Sequence, residues 1–379
     1  MQSFDLESYD WTRWPELAPV WSTIAGACAD ASFFLTSDAV DAWLDVFGPR
    51  LQPSIVLFRD VEGGVVGAAI LVRRTVRKGP FTIRRIYLNT AGEGDADSAC
   101  VEFNSLVCIP GYEAQVARAL RAHLDREPWD ELVAPGLLDG ASLRGLGAAF
   151  GDADAVARIE PSYYISLDQV RASGKDFVES LSSRERTRYR QIARGYAAIG
   201  ELALDEARTV VEALEFLDEL ARLHQKTWLA RGSAGSFASQ PFCDYHRGLV
   251  ERCFAHGGIQ LLRLRAGTMP VGYHYNFVDG GRLYFYQCGY DYELGDKSAP
   301  GIIAHTFAIR HAVERGLVDY DFMAGASEYK RRFATGSRVM HWVSWRAPTF
   351  KMLSYRLVRD AKQALAGLRR DAQATATPR

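Results

Sequence analysis

The most restrictive feature of this chain is a local plan that occurs twice. RDVEGGVVGAAILV at 59–72 and RAGTMPVGYHYNFV at 265–278 each read as a strand end, a glycine turn, and a Val-Gly pair opening the next strand. The surrounding elements come in the same order. In the first half, helical text at 14–29 and 37–47 precedes PSIVLFRD (53–60), VVGAAILVRRTV (65–76) and FTIRRIYLNT (81–90), joined by Gly63-Gly64 and Gly79-Pro80 turns. Three successive strands with tight turns make an antiparallel meander. In the second half, a basic helix at 176–196 and helices at 209–231 and 241–256 precede strands at 259–265, 270–278 and 282–290. A duplicated α/β unit fits both halves, each a mixed, mostly antiparallel sheet with helices on its faces.

Length agrees with two units, because 379 residues exceed one ordinary domain. The first half closes with a helix at 111–126, a buried strand around WDELVAPGL and a strand at 157–167, and the polar run DQVRASGKD is the natural boundary. The expected division is 1–168 and 176–371, with 372–379 as a disordered tail.

Composition excludes several classes. The 45 basic and 46 acidic side chains cancel, which argues against DNA as a partner. The N-terminal MQSFDLESYDW lacks the basic start and apolar run of a signal peptide, and no apolar run approaches the ~18 residues of a spanning helix. The reading is cytoplasmic, with peripheral contact at the inner face of a membrane left open. Six scattered cysteines form no CxxC pair and read as reduced, and the eight histidines form no ligand motif, so no metal is expected.

The informative corner is ELGDKSAPG. A strand ending near Tyr290, a helix over about 301–315 and a strand at 318–323 form a βαβ unit, hence parallel strands with a right-handed crossover. Ligands sit at the carboxyl ends of such strands, beside the helix N-terminus. Pro300 suits the first turn, Ser298 is placed to cap, and Gly301 admits a ligand to the backbone. The amides of Gly301, Ile302 and Ile303 would face a phosphate or pyrophosphate, with Gln287 on the strand leading in. The same text also serves as an ordinary helix start.

The flanking text carries a family resemblance. PVGYHYNFVDGGRLYFYQCGYD, SAPGIIAHTFAIRHAVERGLVDYDFMAGASEYKRRFATG, LSSRERTRYRQIARGY (181–196) and LHQKTWLARGSAGSFASQPFCDYHRGL (223–249) together resemble the acetyltransferase domain of CelD/BcsL-type proteins. These are GNAT-superfamily members related to the FemAB peptidoglycan aminoacyltransferases, and the likeness spans roughly 180–336. It implies two tandem GNAT-like domains, a gap between the two strands of the crossover, and acyl-coenzyme A, most naturally acetyl-CoA, with its pyrophosphate on the helix N-terminus. It further implies N-acylation of an amine, such as an amino sugar on a nucleotide- or lipid-linked envelope or exopolysaccharide precursor.

Such chemistry needs a neutral amine, an oxyanion donor and a proton for the leaving thiolate. By resemblance, Tyr329 would protonate the thiolate and Lys330 would lie near the donor phosphate or acceptor. An aromatic at a helix start and a solvated basic turn are the plain alternatives. Asp291 could take the amine proton or simply cap the next turn, with Glu328 and His274 as weaker bases. Arg186 and Arg190, with Arg184, Arg188 and Arg194, suit phosphate contacts or a solvated face. His224, Trp228 and Arg231 match the family's text, or pack as core. Glu93, Asp95 and Asp97 lie in a glycine-rich loop before a probable strand bearing Glu102 and Asn104, which with Tyr290 would face the acceptor. GLGAAFG at 145–151 lacks the dinucleotide spacing. Two other functions fit the text: aminoacyl transfer from tRNA, and a regulatory module sensing a nucleotide through the arginine helix or the basic tail (Arg356, Arg359, Lys362, Arg369, Arg370).

Overall fold

The structure is a computed structural model, and it describes residues 4–151, 156–294 and 299–361. Ser298 and the tail at 372–379 lie outside the described residues, as do Lys362, Arg369 and Arg370.

The first half runs β1 (Asp5–Asp10), α1 (Trp14–Ala27), α2 (Ser37–Leu51), β2 (Ser54–Arg59), β3 (Val65–Lys78), β4 (Phe81–Leu88), β5 (Val107–Cys108), α3 (Glu113–Leu124), β6 (Glu131–Leu138), α4 (Ala141–Phe150) and β7 (Val156–Ser166). The second runs α5 (Leu167–Ala172), α6 (Phe177–Ser180), α7 (Ser183–Ala197), β8 (Leu202–Glu206), α8 (Val210–Ala230), α9 (Gln240–Cys253), β9 (Ile259–Ala266), β10 (Met269–Asp279), β11 (Arg282–Tyr290), α10 (Pro300–Glu314), β12 (Asp319–Ala324), α11 (Glu328–Phe333) and β13 (Gly336–Arg346). Local chemistry sets the boundaries. Thr209 caps α8 by accepting from the Glu212 amide, while the Glu212 carboxylate takes the amide of Arg208, the residue before the cap. From there Ala213, Phe216, Leu217, Leu220 and Leu223 recur at helical spacing and are buried, so α8 turns one face onto β10 and β11.

The strands form one mixed sheet in the order β1-β2-β3-β4-β6-β13-β7-β12-β11-β10-β9-β8. Its pairing is symmetric about the middle. Four antiparallel strands lead to a parallel pair on each side, β4 with β6 and β11 with β12. The last strand of each half crosses over: β13 pairs β6, and β7 pairs β12. Each half therefore completes the other's sheet.

The halves also share a core. Phe33 stacks on Phe277 at 4.2 Å, Phe47 meets Tyr245, and burying each such side chain contributes about 1.5–3 kcal/mol. At the rim, Arg252 of α9 pairs with Asp41 and Asp45 of α2.

Three expectations change here. The helix at 176–196 is broken between α6 and α7 at Leu181, where extended backbone lets Ser182 cap Glu185. The run at 168–176 contains α5, which buries Leu167 and Val170. Finally, Glu102 and Asn104 stand on no strand, but in a loop joined to the sheet by one isolated bridge, Asn104 with Leu137.

Candidate functional site

The two parallel pairs diverge after a few residues. β11 and β12 are in register only from Arg282–Asp319 to Tyr284–Asp321, after which β11 runs on to Tyr290 without pairing β12. β12 bends away at Met323, whose φ of 60° is the left-handed region, and its register with β7 slips between Asp321 and Ala324. Beyond Tyr284 and Asp321 the two strands part.

The equivalent wedge in the first half is filled. β4 and β6 pair only from Arg85–Glu131 to Tyr87–Val133, and then the loop carrying Asn104 enters between them. The Asn104 amide N–H donates to the Gly136 carbonyl at 2.9 Å, and its side chain donates to the Leu88 carbonyl at 3.0 Å. Its Oδ1 accepts from Asn89 Nδ2 and from the Ser105 amide. At Gly136 a Cβ would lie 2.8 Å from Cα of Glu102, so only glycine lets the loop pass. Asn104 is 1% exposed and its polar atoms are engaged, so it bridges the first-half strands and does not face a ligand.

That same loop delivers Glu102 to the end of β12, where β11 and β12 part. Its Oε2 accepts from the Ala324 amide at 2.8 Å, at the end of β12. Lys330, on α11, donates its ammonium to the carbonyls of Met323 (3.2 Å) and Ala324 (2.9 Å). Burial pushes Glu102 up to about 7, partly opposed by the Ala324 N–H and the Lys330 charge. Burial lowers Lys330, while Glu102, Asp321 and Glu160 support its charge. A carboxyl and an ammonium from different halves thus converge with shifted ionisations.

The opposite wall comes from β11 and α10. Cys288 is half-buried, and burial raises its thiol to about 11, so it is protonated at neutral pH. Tyr329 stacks on His305 at 5.4 Å, and burial raises its phenol well above the usual range. Behind it, His305 Nδ1 meets Tyr320 Oη at 2.9 Å and His274 Nε2 meets Tyr290 Oη at 2.7 Å. Both imidazoles are buried and held neutral.

At the crossover entrance, Pro300 occupies the first turn of α10 and Ala299 takes the cap position without a side-chain hydrogen bond. The Ile302 amide donates to the Ala299 carbonyl at 3.0 Å, which closes a tight first turn and removes Ile302 from the expected anion donors. The first-turn amides left to consider are those of Gly301 and Ile303. A Cβ on Gly301 would lie 3.4 Å from the Tyr290 ring, which narrows the entrance on that side.

Other expected residues are engaged elsewhere. Tyr290 is 7% exposed with its hydroxyl on His274, so it packs as a wall and not as an acceptor ligand. Asp291 accepts from the Glu293 amide at 2.9 Å and caps the turn. Arg186 donates to the carbonyls of Glu179 and Leu181, bracing the α6–α7 corner. Arg190 is exposed on α7. His224 is buried against Phe237, with Nδ1 on Gln225 Oε1, and burial holds it neutral. Trp228 is partly exposed beneath the Arg231 guanidinium, 5.7 Å from its ring. Gln287 is half-buried on β11 opposite Tyr275. Glu93 binds the Ala99 amide within its own loop, Asp97 ties Arg50 to Ser239, and Asp95 sits on an exposed turn. Glu328 pairs with Arg332.

Sequence reasoning did not single out Cys288, Glu160 or His305. Cys288 and Tyr290 stand two apart on β11, a legible signal for one face of the strand. His305 lies on the buried face of α10, where nothing in the text distinguishes it from core.

Residues 183–331 match the family model of the acetyltransferase (GNAT) domain. No curated protein matches the chain. Among solved structures, FemX superposes with a TM-score of 0.56 at 12% identity, covering 90% of this chain and 98% of FemX. L-PGS from Bacillus licheniformis gives 0.48 at 13% identity, covering 84% and 94%. A tandem GNAT protein from the clavulanic acid biosynthesis pathway gives 0.44 at 14%, covering 90% and 98%. The chain thus has a mixed α/β fold like that of FemX, with one large mixed sheet flanked by helices, and the stretch that matches the acetyltransferase model contains β11, α10 and β12.

Proposed function

We propose that the chain is an N-acyltransferase moving an acyl group, acetyl by preference, from acyl-coenzyme A to a primary amine. The observation that carries this reading is the contrast between the two partings: the loop bearing Asn104 bridges β4 and β6, whereas β11 and β12 part beside a helix start within the acetyltransferase match. The donor would lie along β11 with its phosphates at Gly301 and Ile303. In the same proposal the chain is two units, each finished by the other's last strand.

The residues divide the work by their ionisation. Glu102, raised to about 7, is ionised in a useful fraction at neutral pH and takes a proton from the acceptor ammonium, directly or through one water. The amine nitrogen then attacks the thioester carbon. Lys330 lies beside the carbon–oxygen charge that develops and stabilises it. As the C–S bond breaks, Tyr329 gives its proton to the sulfur, its raised pKa keeping that proton available until the thiolate forms, and the second proton that the nitrogen loses as the amide forms restores the phenol. Cys288, protonated at neutral pH, supports direct transfer without an acyl-enzyme. Carboxylates at Glu102 and Glu160 suit an acceptor carrying an ammonium and hydroxyls, and an amino sugar of an envelope or exopolysaccharide precursor fits that description.

The test is calorimetry with coenzyme A on the wild type and on Gly301→Asp. Aspartate in the first turn of a helix is favourable for the helix, so lost binding would report on the phosphate site. The reading expects saturable binding in the wild type and at least about tenfold weaker binding in the variant. Failure of the wild type to bind, with binding of aminoacyl-tRNA or a nucleotide instead, would replace it.

A further inference from the structure

Beyond the last strand, a helix over residues 350–361 carries two apolar sides, of which the fold uses one. Its inner face is already committed. Met352 is 2% exposed, Tyr355 meets Phe81 at 5.5 Å, and Lys351 donates to the Thr82 carbonyl and pairs with Asp130. The outward stripe is Phe350, Leu353 and Leu357, which are 85%, 54% and 64% exposed. Their spacing places them on one face of the helix, and no element among the described residues covers them.

Charge decides what covers this face. Residues 349–379 hold seven basic side chains and two acidic ones, in a chain whose formal net charge is −1. A second copy docked through the same stripe would bring two like-charged segments together. An anionic surface would be attracted instead, and an exposed Phe/Leu stripe beside Arg and Lys is the pattern of a helix lying in a bilayer interface.

We propose that the helix over residues 350–361 docks the protein on an anionic lipid bilayer, with Phe350, Leu353 and Leu357 entering the headgroup–acyl boundary and the basic segment meeting acidic headgroups. This rests on the surface alone and holds whatever the wedge binds. It would keep the protein in the plane where a lipid-linked acceptor resides.

The experiment is co-sedimentation of the full chain with phosphatidylcholine vesicles, with and without phosphatidylglycerol. Binding is expected on the anionic vesicles and should fall with added salt. The double variant Leu353→Glu, Leu357→Glu should bind at least about tenfold less, with thermal unfolding unchanged because both sites are exposed. Lys362→Gln, Arg369→Gln and Arg370→Gln should each weaken binding roughly fivefold. Absence of wild-type binding at low salt, or equal binding by the double variant, would overturn the proposal. So would a wild-type dimer in sedimentation equilibrium that the double variant dissolves, because the stripe would then be a contact between copies.

Discussion

Substituting Glu102 with Gln should separate its cost to the fold from its use in catalysis. In the unfolded chain its carboxyl titrates near the ordinary 4.5, and burial raises it to about 7 in the native state. The native protein therefore holds this proton more tightly than the unfolded chain. Below about pH 4.5 the group is neutral in both states and costs nothing, and the penalty grows as pH rises through the window up to about 7. At 1.36 kcal/mol for each tenfold difference in proton affinity, the full penalty is about 3 kcal/mol. Glu102→Gln keeps an acceptor for the Ala324 amide and removes the charge. It should match the wild type near about pH 4.5 and be more stable by up to about 3 kcal/mol near about pH 8, measured by chemical denaturation. The same variant should lose roughly 10²-fold or more in kcat/KM, along with the acid limb expected of the wild type with a midpoint near 7. A variant less stable than wild type at high pH, or an unchanged pH–rate profile, would refute the reasoning.

Other consequences follow from the same geometry. Tyr329→Phe should lower kcat roughly 10²-fold with little change in coenzyme A affinity, read by steady-state kinetics beside calorimetry, because only the departing sulfur uses the hydroxyl. Asn104→Ala should cost about 2 kcal/mol or more in unfolding free energy and leave the acceptor KM of the folded fraction unchanged, since Asn104 closes the first wedge. Gly136→Ala should be more damaging still in thermal unfolding, because its φ of 66° and the Glu102 backbone at 2.8 Å leave no room for a methyl group. Arg186→Ala should lower stability without changing donor affinity, as its guanidinium holds two carbonyls at a helix corner.

What could be read in the sequence follows from where each signal resides. The meander β2–β3–β4 and the β11–α10–β12 crossover were legible because their apolar periods and glycine or proline stops are local. The strands β1, β8 and β13 were missed. β1 and β8 are polar, partly exposed edges, and β13 pairs with β6 across a separation that no local pattern encodes. The exchange of β7 and β13 is invisible for the same reason. In the proposed site, Tyr329 and Lys330 were picked out through their surrounding text. The use of Glu102 was only half legible: a carboxylate facing the cleft was expected, but its junction with Ala324 and Lys330 joins residues more than two hundred positions apart. Asn104, two residues later in the same loop, was read as facing a ligand. Only the three-dimensional path shows it spent on Leu88 and Gly136.

The most direct measurement of the central claim is a crystal structure with coenzyme A bound. One molecule should bind per chain, its pantetheine between β11 and β12 beside Cys288 and Ala324 and its phosphates at Gly301, with the β4–β6 wedge still closed by Asn104. Density for the cofactor between β4 and β6, or on the surface with the β11–β12 wedge empty, would contradict it.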